Sequence, residues 1–150
     1  MKYKLLALDM DGTLLNSKKE VTAETQKALL EAIKKGVIVT ACTGRPLQGL
    51  RQYSQLLSPD AAAATYNGAV VVTTETKKVL FSKTLRAEAA LEIINRGLAK
   101  GVTMIAWADN TLYVSEDNDR TRLYGSLSGS KGVLMTDPAA IAERGIVKVI

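Results

Sequence analysis

The sequence predicts an α/β fold that opens on a parallel sheet and continues into a second, separate α/β segment. Three observations predict it. Residues 5–8 form an apolar run with no polar alternation, which suits a strand covered on both faces. Helical periodicity then leads into a second apolar run at residues 37–40, a strand–helix–strand unit. From about Arg86 the order changes to helix, hairpin, helix and strand.

The first strand is expected over residues 3–9. Polar residues 16–20 follow, and Thr22 serves as N-cap of a helix that lacks the Glu or Gln of a full capping box. Val21, Ala28, Leu29, Ala32 and Ile33 share one face of it. Lys34 and Lys35 favour its last turn and Gly36 stops it. The second strand, residues 37–40, ends in Ala41-Cys42-Thr43-Gly44-Arg45-Pro46, and Pro46 suits the first position of a helix over residues 46–57. Ser58-Pro59 ends that helix. A third short strand covers residues 61–66, Tyr66-Asn67-Gly68-Ala69 is a turn, and residues 70–73 and 79–81 pair as a hairpin.

Behind a boundary near residues 84–86, residues 87–100 read as a helix with Ala90, Leu91, Ile94 and Leu98 as its apolar stripe. Residues 102–107 and 111–114 form a hairpin around Asp109-Asn110. A helix over residues 117–128, a turn over residues 128–132, a short helix over residues 138–143 and an apolar strand over residues 146–150 complete the chain. Trp107 and Tyr113 are expected in the core of this second part. The chain therefore divides into residues 1–84 and 85–150.

Composition narrows the chemistry. Of 150 residues, 47% are hydrophobic and 23% charged, a globular balance. No apolar run is long enough to cross a bilayer, and no signal-peptide pattern opens the chain, so a cytoplasmic location is expected. The single cysteine, Cys42, excludes an internal disulfide and reads as a small buried residue. The absence of histidine removes Ser-His and Cys-His catalysis and the usual zinc sites. The net charge of +5 is scattered over separate lysines and arginines, which speaks against a nucleic-acid partner.

What remains is carboxylate chemistry. Asp9 and Asp11 fall at the carboxyl end of the first strand, where open α/β sheets place ligands. Two carboxylates this close repel, and a divalent cation offsets that; oxygen ligands favour magnesium. A carboxylate can also accept a phosphoryl group covalently. Thr43 and Gly44 end the neighbouring strand, where a hydroxyl and free backbone N–H groups suit phosphate. Arg45 reads equally well as a phosphate contact or a neighbour's ion-pair partner, and Asn67 as a site residue or a bare turn residue.

The string Asp9-Met10-Asp11-Gly12-Thr13-Leu14-Leu15 after an apolar strand resembles the first motif of the haloacid dehalogenase-like (HAD) hydrolases. Thr43-Gly44-Arg45-Pro46 and Asn67-Gly68-Ala69 are similar to their Cof-type branch. The resemblance implies a Rossmann-like core with an inserted α/β cap, both incomplete here. It implies a magnesium-dependent phosphomonoester hydrolase acting on small phosphorylated metabolites. Asp9 would be the nucleophile and Asp11 the general acid and base. Asp9 and the Asp11 backbone carbonyl would hold magnesium. Thr43 and the amides near Met10, Asp11, Gly12 and Gly44 would hold the phosphate oxygens. Sugar phosphates, pyridoxal phosphate and nucleotide-derived phosphates all stay open as substrates.

The family's later lysine and acidic motifs have no counterpart in the chain, and Lys148 sits in a cap-like strand instead. Weak or absent turnover is therefore expected, with a homo-oligomer formed through an exposed sheet edge. A phosphomutase or phosphotransferase of the same superfamily, and a non-catalytic fragment that binds phosphate or a partner, are the alternative readings.

Overall fold

The computed structural model describes residues 3–150, which fall into two compact units, one ending at Phe81 and the other spanning Ser82–Ile150. Each is a mixed α/β arrangement, as the sequence predicts.

In the first unit, β1 (Leu5–Leu8) pairs in parallel with β2 (Ile38–Ala41), Leu8 lying opposite Ala41. Between them runs α1 (Ala23–Lys34). The Thr22 hydroxyl accepts from the Thr25 N–H, satisfying one of the donors that a helix start leaves open. Gly36, with φ +81, lets the chain turn into β2. Leu29 of α1 joins Met10, Leu14, Leu15, Val39 and Leu50 in the core.

Three expectations change here. β1 is not covered on both faces: Leu5 is 59% and Leu6 36% exposed, and among the described residues β1 pairs with β2 alone. Ala28 is exposed, lying at the margin of the α1 stripe. Cys42 is exposed rather than buried. It lies one residue past the end of β2, between the buried Ala41 and Thr43.

The segment after Pro46 is a 3₁₀ helix, Leu47–Leu56, with Pro46 as its N-cap rather than its first residue. The reason is legible afterwards. Beside Gly49, the buried residues are Leu50, Tyr53 and Leu56, at a spacing of three, which stacks them on one side of a three-per-turn helix. β3 (Ala62–Thr65) is bridged in parallel to β2 through Cys42 and Ala64. A 3₁₀ turn, Tyr66–Gly68, reverses the chain into β4 (Val70–Thr73), antiparallel to β3, and β5 (Val79–Ser82) extends that sheet in the order β3-β4-β5.

The second unit is built on a four-stranded sheet in the order 133–134, 111–114, 105–108, 146–149. Its helix α2 (Ala87–Ala99) buries Ala90 and Ile94; Leu98 is 40% exposed, so the stripe is narrower than expected. β6 (Ile105–Ala108) and β7 (Thr111–Val114) form the hairpin around Asp109 and Asn110, both at positive φ, as a two-residue turn of this hand requires. α3 (Asp119–Ser128) begins with a complete capping box between Asn118 and Thr121. The two-residue β8 (Val133–Leu134) pairs in parallel with β7 and was not anticipated. α4 (Pro138–Ala142) is capped by Asp137, and β9 (Ile146–Val149) runs antiparallel to β6.

Strand alternation divides this sheet's faces. Ala106, Ala108 and Tyr113 pack with Ala90, Ile94, Ile141 and Ile146. Trp107, fully buried, donates from Nε1 to the Tyr124 hydroxyl of α3 at 3.1 Å. Burial raises the Tyr124 pKa, the cost of taking a phenolate out of water. Among the described residues no helix is long and apolar enough to cross a membrane.

Candidate active site

The parallel register carries β1 and β2 to a common end. Leu8 faces Ala41 and its carbonyl accepts from the Cys42 N–H at 2.7 Å, so Asp9 and Thr43 leave the sheet at the same edge. Asp9 is exposed, and the Thr13 hydroxyl donates to its Oδ2 at 3.1 Å. The loop that holds this pair is fixed by N–H donation from Leu14 to the Asp9 carbonyl and from Leu15 to the Met10 carbonyl. Met10 is wholly buried, so its side chain anchors the loop in the core. Gly12, at φ +81, makes the turn between Asp11 and Thr13.

Asp11 is enclosed by cations. Arg45 donates to it bidentately, from Nε to Oδ2 at 2.6 Å and from a terminal nitrogen to Oδ1 at 2.7 Å. Lys19 Nζ lies 2.8 Å from the same Oδ1. The Arg45 hydrogen bonds, chiefly, hold the Asp11 carboxyl well below the usual carboxylate range. Asp11 in turn raises the Arg45 guanidinium. Of the two roles open to Arg45, the structure shows the ion pair.

A second loop lies beside this pair. Thr43, 4% exposed, accepts on Oγ1 from the Arg45 N–H at 3.1 Å and donates its own N–H to the Ala64 carbonyl. Tyr66 donates its N–H to the Arg45 carbonyl and Asn67 donates its N–H to the Thr43 carbonyl. Both Tyr66 (φ 51) and Asn67 (φ 58) are left-handed, a conformation that costs a bulky residue such as Tyr free energy and concentrates at functional loops. Gly44 permits the approach: a Cβ there would sit 2.7 Å from Asn67 Oδ1.

All eight residues singled out from the sequence thus lie in three linked segments: Asp9, Met10, Asp11 and Gly12 after β1, Thr43, Gly44 and Arg45 after β2, and Asn67 in the turn after β3. Sequence reasoning missed Thr13 as a partner of Asp9 and Lys19 as a partner of Asp11. It also missed Tyr53, whose hydroxyl donates to the Lys19 carbonyl at 2.9 Å. Only the Lys18-Lys19 pair hinted at the second, and it is one of several such pairs.

The donor set is all oxygen, the chemistry that magnesium prefers. Among the described residues no group of three or more His, Cys, Asp or Glu side chains comes together, so the fit is that of a cation held by few protein ligands and completed by water. Arranged this way, the loops offer one exposed carboxylate, one carboxylate neutralised by two cations, and a hydroxyl loop at a parallel sheet edge.

Residues 6–142 match the family model of the haloacid dehalogenase-like hydrolases. YxeH of Bacillus subtilis (strain 168) is 37% identical over 114 residues, covering 74% of this chain and 42% of that protein. The 5-amino-6-(5-phospho-D-ribitylamino)uracil phosphatase YwtE of the same organism is 32% identical over 117 residues, covering 77% of this chain and 40% of YwtE. The crystal structure of a haloacid dehalogenase-like hydrolase from Bacteroides thetaiotaomicron superposes with a TM-score of 0.81 at 22% identity, over 93% of this chain and 54% of that one. The chain spans about half the length of the proteins it matches, or somewhat less. With the match extending through both units, the chain belongs to the haloacid dehalogenase-like hydrolase family.

Proposed function

We propose that the chain carries the nucleophile half of a phosphomonoester hydrolase acting on small phosphorylated metabolites. The observation that supports this most is the division of labour between the two aspartates. Asp9 is exposed at the strand end with one hydroxyl donor, whereas Asp11 is spent on Arg45 and Lys19. Of the two carboxylates, Asp9 is the one free to attack.

An Asp9 oxygen attacks phosphorus and the bond to the leaving oxygen breaks, giving an aspartyl-phosphate. Asp11 transfers a proton to the leaving oxygen, then takes one from the water that attacks the phosphorus and releases Asp9. The ion pairs stabilise the carboxylate, so they oppose protonation of Asp11 both before the first transfer and in the second. For the first half, the phosphoryl oxygens compete with Asp11 for the Arg45 fork, whose geometry suits either anion. The Thr43–Arg45 loop holds the phosphate oxygens, and positioning with charge neutralisation supplies most of the catalysis. Magnesium would be held by the Asp9 carboxylate and the Asp11 backbone carbonyl, where it neutralises phosphate charge. The loops carry no feature that selects between sugar, pyridoxal and nucleotide-derived phosphates, and a cytoplasmic setting fits such substrates.

Hydrolysis of p-nitrophenyl phosphate with and without magnesium tests the reading. Magnesium-dependent release of nitrophenol that disappears in Asp9→Asn supports it; release that persists in Asp9→Asn sinks it. A second reading is binding of phosphate or a partner without turnover. It is favoured by the enclosure of Asp11 and by the absence, among the described residues, of a third acidic group in the site. Phosphate binding by calorimetry in a chain that does not turn over would select it.

A further inference from the structure

Two cations fix Asp11, and both trace back to one side chain. Tyr53 lies on the 3₁₀ helix and is 6% exposed. Its hydroxyl donates to the backbone carbonyl of Lys19 at 2.9 Å, holding a residue whose φ of 62 is otherwise unfavourable. Its ring lies under the Arg45 guanidinium, 5.9 Å from centroid to carbon, within cation–π range. Arg45 is itself shielded, its side chain 13% exposed, so the ring contact acts in a partly desolvated setting where it counts for more. Spacing by three along the helix supplies the rigidity, because Leu50 and Leu56 on either side of Tyr53 are core residues.

We propose that Tyr53 is the positioning residue for the Asp11 carboxylate, its hydroxyl setting Lys19 and its ring setting Arg45. The inference rests on the reading of Asp11 as the proton-transfer group. A Phe there keeps the ring and frees the lysine arm; a Leu frees both. Tyr53 touches neither substrate nor reacting atoms, so its effect must pass through the two cations.

The test uses the full chain and a signal that does not depend on turnover. The Arg45 Nε–H, hydrogen-bonded to Asp11, is observed by nitrogen-15 NMR and assigned by its loss in Arg45→Lys. In Tyr53→Leu the exchange of that proton with water should accelerate about fivefold, the worth of one partly desolvated cation–π contact. In Tyr53→Phe it should stay protected, while a Lys19 Nζ signal assigned by Lys19→Gln loses its own protection. Leucine methyl signals of the core report whether either variant disturbs the fold. Should Tyr53→Leu fail to fold, Tyr53→Phe still decides: an unchanged Lys19 signal overturns the proposal. So does an unchanged Arg45 signal in a folded Tyr53→Leu. If p-nitrophenyl phosphate is turned over, Tyr53→Phe should lower kcat about threefold with KM held. Absence of turnover in the unaltered chain would sink the phosphatase reading and leave the NMR result standing.

Discussion

In Ser82–Ile150 the starts of α3 and α4 are fixed by residues a few positions away. Asn118 and Thr121 cap α3 reciprocally, and the Asp137 carboxylate accepts from the Ala140 N–H at the start of α4. Near β1 two of the fixing groups come from far along the chain. Arg45 reaches back 34 residues to Asp11, and Tyr53 reaches back 34 to Lys19. Local devices stabilise a helix wherever it sits. Distant ones exist only once strands, loops and the 3₁₀ helix are all in place, which ties the site's geometry to the integrity of its whole unit.

The largest effect that sharpens this contrast is chemical. Asp9→Asn should lower phosphatase turnover by about a thousandfold or more, the scale of a lost nucleophile. Its melting temperature should stay near that of the unaltered chain, since Asp9 is exposed and bonded only to the Thr13 hydroxyl among the described side chains. A large drop in melting temperature would mean that Asp9 is structural.

Trp107→Ala makes the complementary cut. Trp107 is fully buried in the second unit, and its removal should cost about 4 kcal/mol, the usual loss for a large buried aromatic. Amide hydrogen exchange should show β6 and β7 losing protection while β1 and β2 keep theirs. Equal loss in both units would break the comparison, because it would make the two fold as one.

A smaller effect is expected at Gly44. Alanine there would place Cβ 2.7 Å from Asn67 Oδ1, so Asn67 or the loop must shift, at a cost of about 1–3 kcal/mol. The measurement is urea unfolding of the chain together with its affinity for inorganic phosphate. Unchanged stability and affinity in Gly44→Ala would show that the two loops are less tightly joined than the backbone bonds suggest.

The same contrast explains what the sequence discloses. Features written in neighbouring residues are legible: Thr22 capping α1, Gly36 ending it, Asp109-Asn110 turning the second hairpin. So is the Asp9–Asp11 motif with Thr43, since one strand–helix–strand unit suffices to align them. Lys19 is illegible because its contact with Asp11 depends on the path of a polar loop, not on periodicity. Tyr53 reads as an ordinary apolar helix residue, and both its partners come from other segments. Cys42 misleads because an apolar run does not show where its strand ends, and Cys42 lies one residue past that end. The turn from Tyr66 to Ala69 is legible, but the left-handed conformation of Tyr66 is not, since its N–H donates to the distant Arg45 carbonyl.

The smallest expected effect separates two ion pairs of the same kind. Arg122 pairs with Asp117 and Asp119 in full solvent contact, where screening and side-chain entropy consume the gain. Arg122→Gln should leave unfolding by urea unchanged at every pH. Arg45→Gln should not. Asp11 has its pKa held below the ordinary 3.8 in the folded chain, so its contribution is fully present above about pH 4 and fades as pH falls through the lowered value. The Asp11 side chain is 43% exposed and keeps Lys19, so the loss in Arg45→Gln at pH 7 should be only ~1 kcal/mol after screening. The stability curves of Arg45→Gln and the unaltered chain should run parallel from pH 7 to about 5 and converge in acid, where the carboxyl is protonated in both. Curves that stay apart in acid would show that Arg45 stabilises through its packing on Tyr53 rather than through Asp11.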